Sequence, residues 1–208
     1  MLATHQLTFD YSPAKQFTFP DVHCANREAF LILGQSGTGK TTFLHLLALL
    51  LKPKSGSVII GQTDLTKLSA AETAAFRAKH LGIVYQKPHF VSSLSVLDNL
   101  LMANYLANKP QDKIRARELA GQLGFADHLA KKTNQLSQGE QQRVSIARAV
   151  MNQPDVILAD EPTSSLDDEN TSRVVTLLRQ QSEQIGASLI VVTHDQRLKD
   201  AFQKRVNL

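Results

Sequence analysis

Residues 34–41 read Gly34-Gln35-Ser36-Gly37-Thr38-Gly39-Lys40-Thr41, and this stretch decides the fold of the chain. It fits the pattern G-x-x-x-x-G-K-[ST], a loop whose backbone N–H groups surround the phosphates of a nucleotide. The apolar run at 29–33 indicates a buried strand before the loop, and residues 42–50 indicate a helix after it. The alternative is an ordinary Gly/Ser-rich turn, but the strand before and the helix after it favour nucleotide binding.

The loop offers a phosphate group several favourable contacts. Its glycines let the backbone approach without a Cβ in the way, and the N-terminus of the following helix faces the anion with a favourable dipole. Lys40 would reach the β- and γ-phosphates, and the Thr41 hydroxyl would ligate Mg²⁺.

The composition indicates a soluble chain of 208 residues, either one large domain or one domain with an inserted subdomain. The formal net charge of +4 comes from scattered residues, so we expect no nucleic-acid partner. The single cysteine, Cys24, excludes an internal disulfide and fits a reducing compartment. The N-terminus shows no signal-peptide pattern, and the most apolar run, Phe43–Leu51, is too short to span a bilayer. We therefore expect a cytoplasmic location.

Strands and helices alternate along most of the chain, which predicts an α/β fold with a parallel sheet covered on both faces. Strands are predicted at 6–11, 16–19, 29–33, 57–61, 81–85, 155–159 and 188–193, and helices at 42–50, 70–79, 95–108, 111–123, 137–151 and 168–185. Because no strand is predicted between Lys87 and Gln153, this region is interpreted as an inserted helical subdomain.

Two carboxylates follow the apolar run Val156–Ala159. Ligands of a parallel sheet bind at the carboxyl ends of its strands, so Asp160 and Glu161 should emerge beside the phosphates. Asp160 would hold the Mg²⁺ shell, and Glu161 would act as general base toward the attacking water. The alternative is a pair of solvated acids, which the nearby phosphate-binding loop makes the weaker interpretation.

A third motif, Leu136-Ser137-Gln138-Gly139-Glu140, precedes the helix predicted at 137–151. Ser137 and Glu140 have the spacing of a capping box. A capped helix N-terminus with a nearby glycine can also bind phosphate, so the structural and functional interpretations are compatible.

These motifs, in this order, resemble the ATP-binding subunits of ATP-binding-cassette (ABC) transporters over essentially the whole chain. Residues 34–41 match the Walker A motif of that family and 156–161 its Walker B motif. Residues 136–140 match the signature motif, usually Leu-Ser-Gly-Gly-Gln, with Gln138 in place of the first glycine and Glu140 in place of the final glutamine.

The resemblance also implies roles for residues that carry little signal alone. Tyr11 corresponds to an aromatic residue that stacks on adenine, Gln86 to the Q-loop glutamine, residues 164–167 to the D-loop, and His194 to the switch histidine. The implied catalytic residues are Lys40, Gln86, Glu161 and His194. The implied Mg²⁺ ligands are Thr41, Gln86 and Asp160. The implied nucleotide-binding residues are Tyr11, Gly34, Gln35, Ser36, Gly37, Thr38, Gly39, Lys40, Thr41, Thr42, Ser137, Gln138 and Gly139.

The family implies a single ABC ATPase domain over 1–208. A RecA-like P-loop NTPase core with an antiparallel β part would occupy 1–86 and 154–208, and the helical subdomain would occupy 87–153. ATP and Mg²⁺ are the implied cofactors. The implied partners are a second copy, arranged head to tail, and a separately encoded transmembrane permease that holds the chain at the inner face of the membrane.

Stretches at 86–90, 97–100 and 158–164 are similar to the lipoprotein-releasing and macrolide-export group of this family. The runner-up is a soluble ABC ATPase of DNA repair or translation, although 208 residues leave no room for a long coiled-coil insertion or a second cassette. A P-loop kinase would not explain residues 136–140. We further expect a groove that carries the exposed apolar residues Phe90 and Val91, beside the helix at 95–106, to bind a helix of the permease.

Overall fold

The two sheets of the protein differ in strand direction. The computed structural model describes residues 1–164 and 166–208. The strands are β1 (Leu2–Ser12), β2 (Lys15–Thr18), β3 (His23–Cys24), β4 (Ala29–Leu33), β5 (Ser55–Ile60), β6 (Thr63–Asp64), β7 (Leu81–Val84), β8 (Val156–Asp160), β9 (Ser188–Thr193) and β10 (Lys204–Asn207). An antiparallel sheet has the order β2-β1-β5-β6, with β3 paired to β1, and a parallel sheet has the order β10-β4-β9-β8-β7.

The helices follow the predicted alternation. They are α1 (Lys40–Leu47), α2 (Ala70–His80), α3 (Val96–Leu106), α4 (Lys113–Gln122), α5 (Gln138–Val150) and α6 (Asp168–Ile185). Short 3₁₀ helices lie at Leu65–Lys67, Ala126–His128, Thr133–Gln135 and Gln196–Ala201. Within the described ranges, none of the helices combines the length and apolarity needed to cross a bilayer.

The parallel sheet is buried on both faces, which explains the continuous apolar runs of β4, β8 and β9. On one face, the apolar side of α1 fills the space between the parallel and the antiparallel sheet, with Phe43 and Leu44 fully buried. On the other face, helices α3 to α6 share one apolar cluster with the sheet. The helical region therefore packs against the α/β core instead of enclosing a core of its own.

Several helices begin at a capping side chain, and for α5 this confirms the capping box predicted from the sequence. Ser95, Asp112, Ser137 and Asp167 each accept a hydrogen bond from the first turn of the helix that follows. Such side chains satisfy N–H groups that have no partner within the helix. Gly186 ends α6 with φ of 70°, in the left-handed region that glycine tolerates.

The structure corrects the predicted limits of two elements. The helix predicted at 42–50 is α1, which begins at Lys40 and ends at Leu47. It ends there because Leu49 adopts a positive φ of 52°, and the N–H groups of Leu50 and Leu51 both donate to the carbonyl of His45. The strand predicted at 6–11 extends over Leu2–Ser12, with an irregular register between His5 and Thr8.

Three strands were not predicted. Strands β3 and β6 are two residues long, too short to show a period in the sequence. Strand β10 lies at the edge of the parallel sheet, where it pairs with β4. Its charged residues Lys204 and Arg205 are exposed, so an apolar pattern is missing there.

Gly82 gives a test of the contact between β7 and α5. An added Cβ would lie 2.2 Å from the carbonyl oxygen of Ala149, a backbone atom that cannot move alone. Gly82→Ala should therefore lower the free energy of unfolding by about 1–3 kcal/mol, as overpacking does. The measurement is denaturant unfolding followed by circular dichroism.

The matched control is Gly121→Ala on the exposed side of α4, where an added Cβ would meet no atom within 4 Å. This change should be neutral or stabilise the protein by up to about 1 kcal/mol, because alanine favours a helix over glycine. Equal unfolding midpoints for the two variants would contradict the predicted close contact.

Candidate functional site

The phosphate-binding loop lies between β4 and α1, at the carboxyl end of the parallel sheet. Gly37 and Gly39 have φ of 87° and 95°, values that side chains other than glycine rarely adopt. Gly39 is also the N-cap of α1 and has no side chain to bond the first-turn N–H groups. Those N–H groups therefore remain available to an anion.

Lys40 is the most constrained side chain of the loop, with 7% of its surface exposed. Its ammonium group donates to the carbonyl of Gln35 at 2.9 Å and lies 3.4 Å from Oε1 of Glu161. The carbonyl of Gln35 also accepts a hydrogen bond from the Thr38 hydroxyl. The predicted phosphate ligand is thus fixed within the loop and beside the predicted general base.

The predicted metal ligands Thr41 and Asp160 are in contact. The Thr41 hydroxyl donates to the Asp160 carboxylate, at 3.1 Å and 3.3 Å from its two oxygens. Mg²⁺ prefers oxygen ligands and usually combines one or two protein oxygens with substrate phosphates and water. The hydroxyl and the carboxylate fit that ligand set.

Glu161 lies where β8 ends, and its backbone φ of 46° is in the left-handed region. Its carboxylate accepts hydrogen bonds from the Thr193 hydroxyl at 2.7 Å and from the His194 backbone N–H at 3.2 Å. The His194 ring nitrogen Nδ1 lies 2.9 Å from Oε1. The structure therefore places the predicted base and the predicted switch histidine in direct contact.

The two acids at the end of β8 differ in their pKa. Burial raises the pKa of Asp160 above its ordinary value, and this effect exceeds that of the hydrogen bond from Thr41. Burial acts on Glu161 in the same direction, but hydrogen bonds from His194 and Thr193 outweigh it and lower the pKa of Glu161. Glu161 is therefore ionised at neutral pH, as a general base must be.

The predicted adenine-stacking residue Tyr11 is half exposed, at 53%, and lies beside the start of α1. Its hydroxyl is 3.2 Å from the Thr42 hydroxyl, and its ring contacts Phe9 and Phe17 edge to face. The ammonium group of Lys15 lies over the ring, 5.2 Å from its centroid. Tyr11 and Thr42 thus border the loop, as the prediction requires.

The signature residues occupy a different part of the surface. Ser137 caps α5, while Gln138 and Gly139 line a pocket of about 670 Å³ between α5 and α6. In the part of the chain that the structure describes, no hydrogen bond or ion pair joins Ser137, Gln138 or Gly139 to residues 34–42. Within the described residues, the signature motif thus makes no direct polar contact with the phosphate-binding loop of its own chain.

Gln86 is exposed and lies near Pro162 and Ser164, which follow Glu161. Within residues 1–164 and 166–208, its side chain has no hydrogen bond to Thr41 or Asp160, so its role as a metal ligand stays a prediction. Ser165 of the predicted D-loop lies outside the described residues.

Two contacts around the site were missed from the sequence. Gln142 of α5 is buried and donates to the carbonyl of Pro162 at 3.2 Å, which connects the signature helix with the segment after Glu161. Thr193 orients Glu161 through its hydroxyl. A polar residue at the end of the apolar strand β9 was the available signal for Thr193, whereas nothing in the sequence distinguished Gln142 from a surface glutamine.

A model of the family described as "ABC transporter" matches residues 20–164. The lipoprotein-releasing system ATP-binding protein LolD of Shewanella denitrificans is 39% identical over 183 residues, which cover 87% of this chain and 78% of that protein. The macrolide export ATP-binding/permease protein MacB of Rhodopseudomonas palustris is 44% identical over 170 residues, 81% of this chain but only 26% of that protein.

Solved structures give the same result. The dimeric bacterial ABC transporter cassette MJ0796 superposes with a TM-score of 0.89 and 29% identity, covering 100% of this chain and 94% of that one. A post-hydrolysis dimer of the same cassette, bound to ADP and Pi, has the same TM-score and identity.

The position of Glu161 predicts the effect of removing its charge. Glu161→Gln keeps the size of the side chain, so nucleotide should still bind through Lys40. ATP turnover should fall on the order of 10²–10⁴-fold, since a positioned base contributes about that much. Phosphate release and binding of a fluorescent ATP analogue measure the two effects.

A matched control is Glu169→Gln, which removes a carboxylate from the exposed side of α6. It should leave turnover within about twofold, as expected of a surface charge. The assignment of Glu161 would be wrong if Glu161→Gln hydrolysed ATP at more than half the normal rate.

Proposed function

Because the chain belongs to the ABC transporter family, we propose that it is the ATP-hydrolysing subunit that drives a separate transmembrane permease. The observation that carries this proposal is the convergence of Lys40, Thr41, Asp160 and Glu161 at one end of the parallel sheet. The relatives also favour a transporter over the DNA repair or translation alternative, since LolD and MacB are transport proteins by name.

The residues of the site have separate tasks in this proposal. Lys40 and the N-terminus of α1 bind the phosphates, and Tyr11 stacks on the base. Glu161 accepts the proton of the attacking water, while His194 orients Glu161 and contacts the γ-phosphate. Mg²⁺, when bound by Thr41 and Asp160, would supply positive charge to the phosphates. Gln86 is proposed to complete the metal shell after its loop moves.

Two copies are needed because each chain presents half of a site. Ser137 and Gly139 lie at the N-terminus of α5, away from the loop of the same chain, and would bind the γ-phosphate of ATP held by the other copy. The solved dimer of a related cassette supports a dimer, and the head-to-tail arrangement is part of this proposal. ATP then stabilises the closed dimer, and hydrolysis reopens it.

A mixture of two inactive variants tests the composite site. Ser137→Arg should block dimerisation in ATP because it places a bulky cation in the phosphate site of the partner, and Lys40→Ala should block nucleotide binding. A dimer of one Ser137→Arg chain with one Lys40→Ala chain keeps one intact site. Sedimentation in ATP should therefore show dimers in the mixture and none in either variant alone. Equal behaviour of the mixture and the single variants would contradict the composite site.

A groove on the opposite side of the helical region fits a helix of the permease. The groove is about 660 Å³ in volume and lies between α2 and α3. Val91, Met102 and Leu106 line it, and Leu106 is 65% exposed. Unpaired apolar surface of this kind is typical of protein interaction sites. An amphipathic helix could place its apolar face in such a groove.

The structure corrects the predicted role of Phe90. Its ring is partly buried against the apolar cluster, and the guanidinium of Arg148 lies 4.9 Å from the ring centroid. Val91 is 43% exposed and lines the groove. Phe90 therefore belongs to the packing beneath the groove, and a charge there would disturb folding.

The division into a core at 1–86 and 154–208 and a helical subdomain at 87–153 remains part of the proposal. The groove lies at the join of the two parts, so a permease helix there could move Gln86 relative to the phosphates. This contact would hold the chain at the inner face of the membrane. The relatives further suggest a cell-envelope system of the lipoprotein-releasing or macrolide-export group.

Leu106→Asp tests the groove. Burying an unpaired carboxylate costs several kcal/mol, so association with the permease should be lost. Basal ATPase of the isolated subunit should stay within about twofold, because Leu106 lies outside the nucleotide site. Co-purification with a candidate permease, sought as a multi-span protein encoded by a neighbouring gene, measures association.

The control is Ile114→Asp on α4, where the native side chain is 71% exposed and does not line the groove. This variant should retain both association and ATPase. If Leu106→Asp and Ile114→Asp both failed to co-purify with the permease, or if both still co-purified with it, the groove would not be the docking site.

A further inference from the structure

The signature motif of this chain ends in an acid, Glu140, where the resembled family usually has a neutral glutamine. In the structure, Glu140 completes the capping box of α5. Its Oε2 accepts hydrogen bonds from the Ser137 hydroxyl and the Ser137 backbone N–H, both at 2.7 Å. These hydrogen bonds from Ser137, with a smaller contribution from His128, lower the pKa of Glu140 to about 2. A carboxylate therefore lies directly behind the hydroxyl that is proposed to receive a phosphate.

That charge is unfavourable for the proposed role of Ser137. A phosphate arriving at the α5 N-terminus would meet a like charge within a few ångströms, and like charges at such distances repel. The repulsion would oppose the favourable effect of the helix dipole. The site can work only if another group compensates the carboxylate.

His128 is placed to do so. It ends the 3₁₀ helix Ala126–His128, and its Nε2 lies 2.7 Å from Oε1 of Glu140. Both side chains are 22% exposed, so solvent screens the pair only partly. In the described part of the chain, His128 is the sole basic side chain within ion-pair distance of Glu140. The other ring nitrogen, Nδ1, is buried without a hydrogen-bond partner among the described residues. The contact with Glu140 is therefore the one polar contact that orients the ring.

We propose that His128 is a positioning residue for the composite ATP site. It holds the Glu140 carboxylate through Oε1 and compensates its charge, so that Ser137 and the α5 N-terminus can bind the γ-phosphate of ATP on the other copy. This inference rests on the proposed head-to-tail dimer. The three residues form one unit, in which His128 acts on the phosphate through Glu140 and Ser137.

The test separates charge compensation from a structural role. All measurements use the Glu161→Gln chain, which should form a stable dimer in ATP, and record the ATP concentration for half-maximal dimerisation. His128→Gln can still donate a hydrogen bond but carries no charge. It should raise that concentration roughly tenfold, which is the size expected when one of two opposite charges a few ångströms apart is removed near a protein surface. In a chain that also carries Glu140→Gln, the same change should have less than about a twofold effect, because no charge remains to compensate.

Two further measurements keep the test decisive. Binding of ATP to the monomer should be unchanged, since His128 lies outside the phosphate-binding loop, and thermal unfolding shows whether each variant is folded at the temperature of the assay. If His128→Gln fails to fold, Glu140→Gln alone should dimerise at the same or a lower ATP concentration, and a need for more ATP would overturn the inference.

The remaining outcomes are also distinct. An equal effect of His128→Gln with and without Glu140→Gln would show that His128 has a merely structural role. No effect in either background would show that His128 has no role. Both outcomes overturn the inference, but neither contradicts the proposed dimer. Absence of any ATP-dependent dimer in the Glu161→Gln chain would instead overturn the proposed composite site, and this inference with it.

Discussion

A buried ammonium group must be paired, and in this protein Lys40 meets that requirement with partners from separate parts of the chain. The carbonyl of Gln35 fixes it within the loop, and Glu161 pairs with it from the end of β8. Glu161 is in turn held by Thr193 and His194 at the end of β9. The ends of three neighbouring parallel strands are thus linked through one cation. A phosphate that binds Lys40 must compete with both oxygen partners, so its arrival affects β8 and β9 as well as the loop.

The closely packed layers of the molecule explain why a response to phosphate binding is expected in side chains and loops. Helix α1 is packed between two sheets, and an apolar cluster on the other face joins helices α3 to α6 to the parallel sheet. Neither layer can shift without breaking close packing. Gln142 connects the signature helix to Pro162, directly after the proposed general base Glu161. The two halves of the proposed composite site are therefore connected within each chain, although the proposal assigns them to different nucleotides.

The sequence was sufficient for the parts of the site that depend on local spacing. The loop at 34–41, the acids at 160 and 161 and the capping box of α5 were all predicted in place, because each is defined by residues a few positions apart. Contacts between distant residues were not predictable. The hydrogen bond from Thr193 and the ion pair of His128 with Glu140 depend on how strands and helices meet in space. The partial burial of Phe90 was missed for the same reason. Its ring packs against the apolar cluster and lies near Arg148, which belongs to a helix far along the chain.

The backbone of Glu161 has a consequence for the evolution and engineering of this protein. A non-glycine residue in the left-handed region costs on the order of 1 kcal/mol or more, and the cost persists only because the surroundings hold the residue in place. Glycine would relieve it, but glycine lacks the carboxylate that is proposed to accept a proton from the attacking water. Stability and hydrolysis therefore favour different residues at the end of β8. Selection for thermal stability alone would favour replacements at this position that give a more stable protein. On the proposed role of Glu161, such a protein could not hydrolyse ATP.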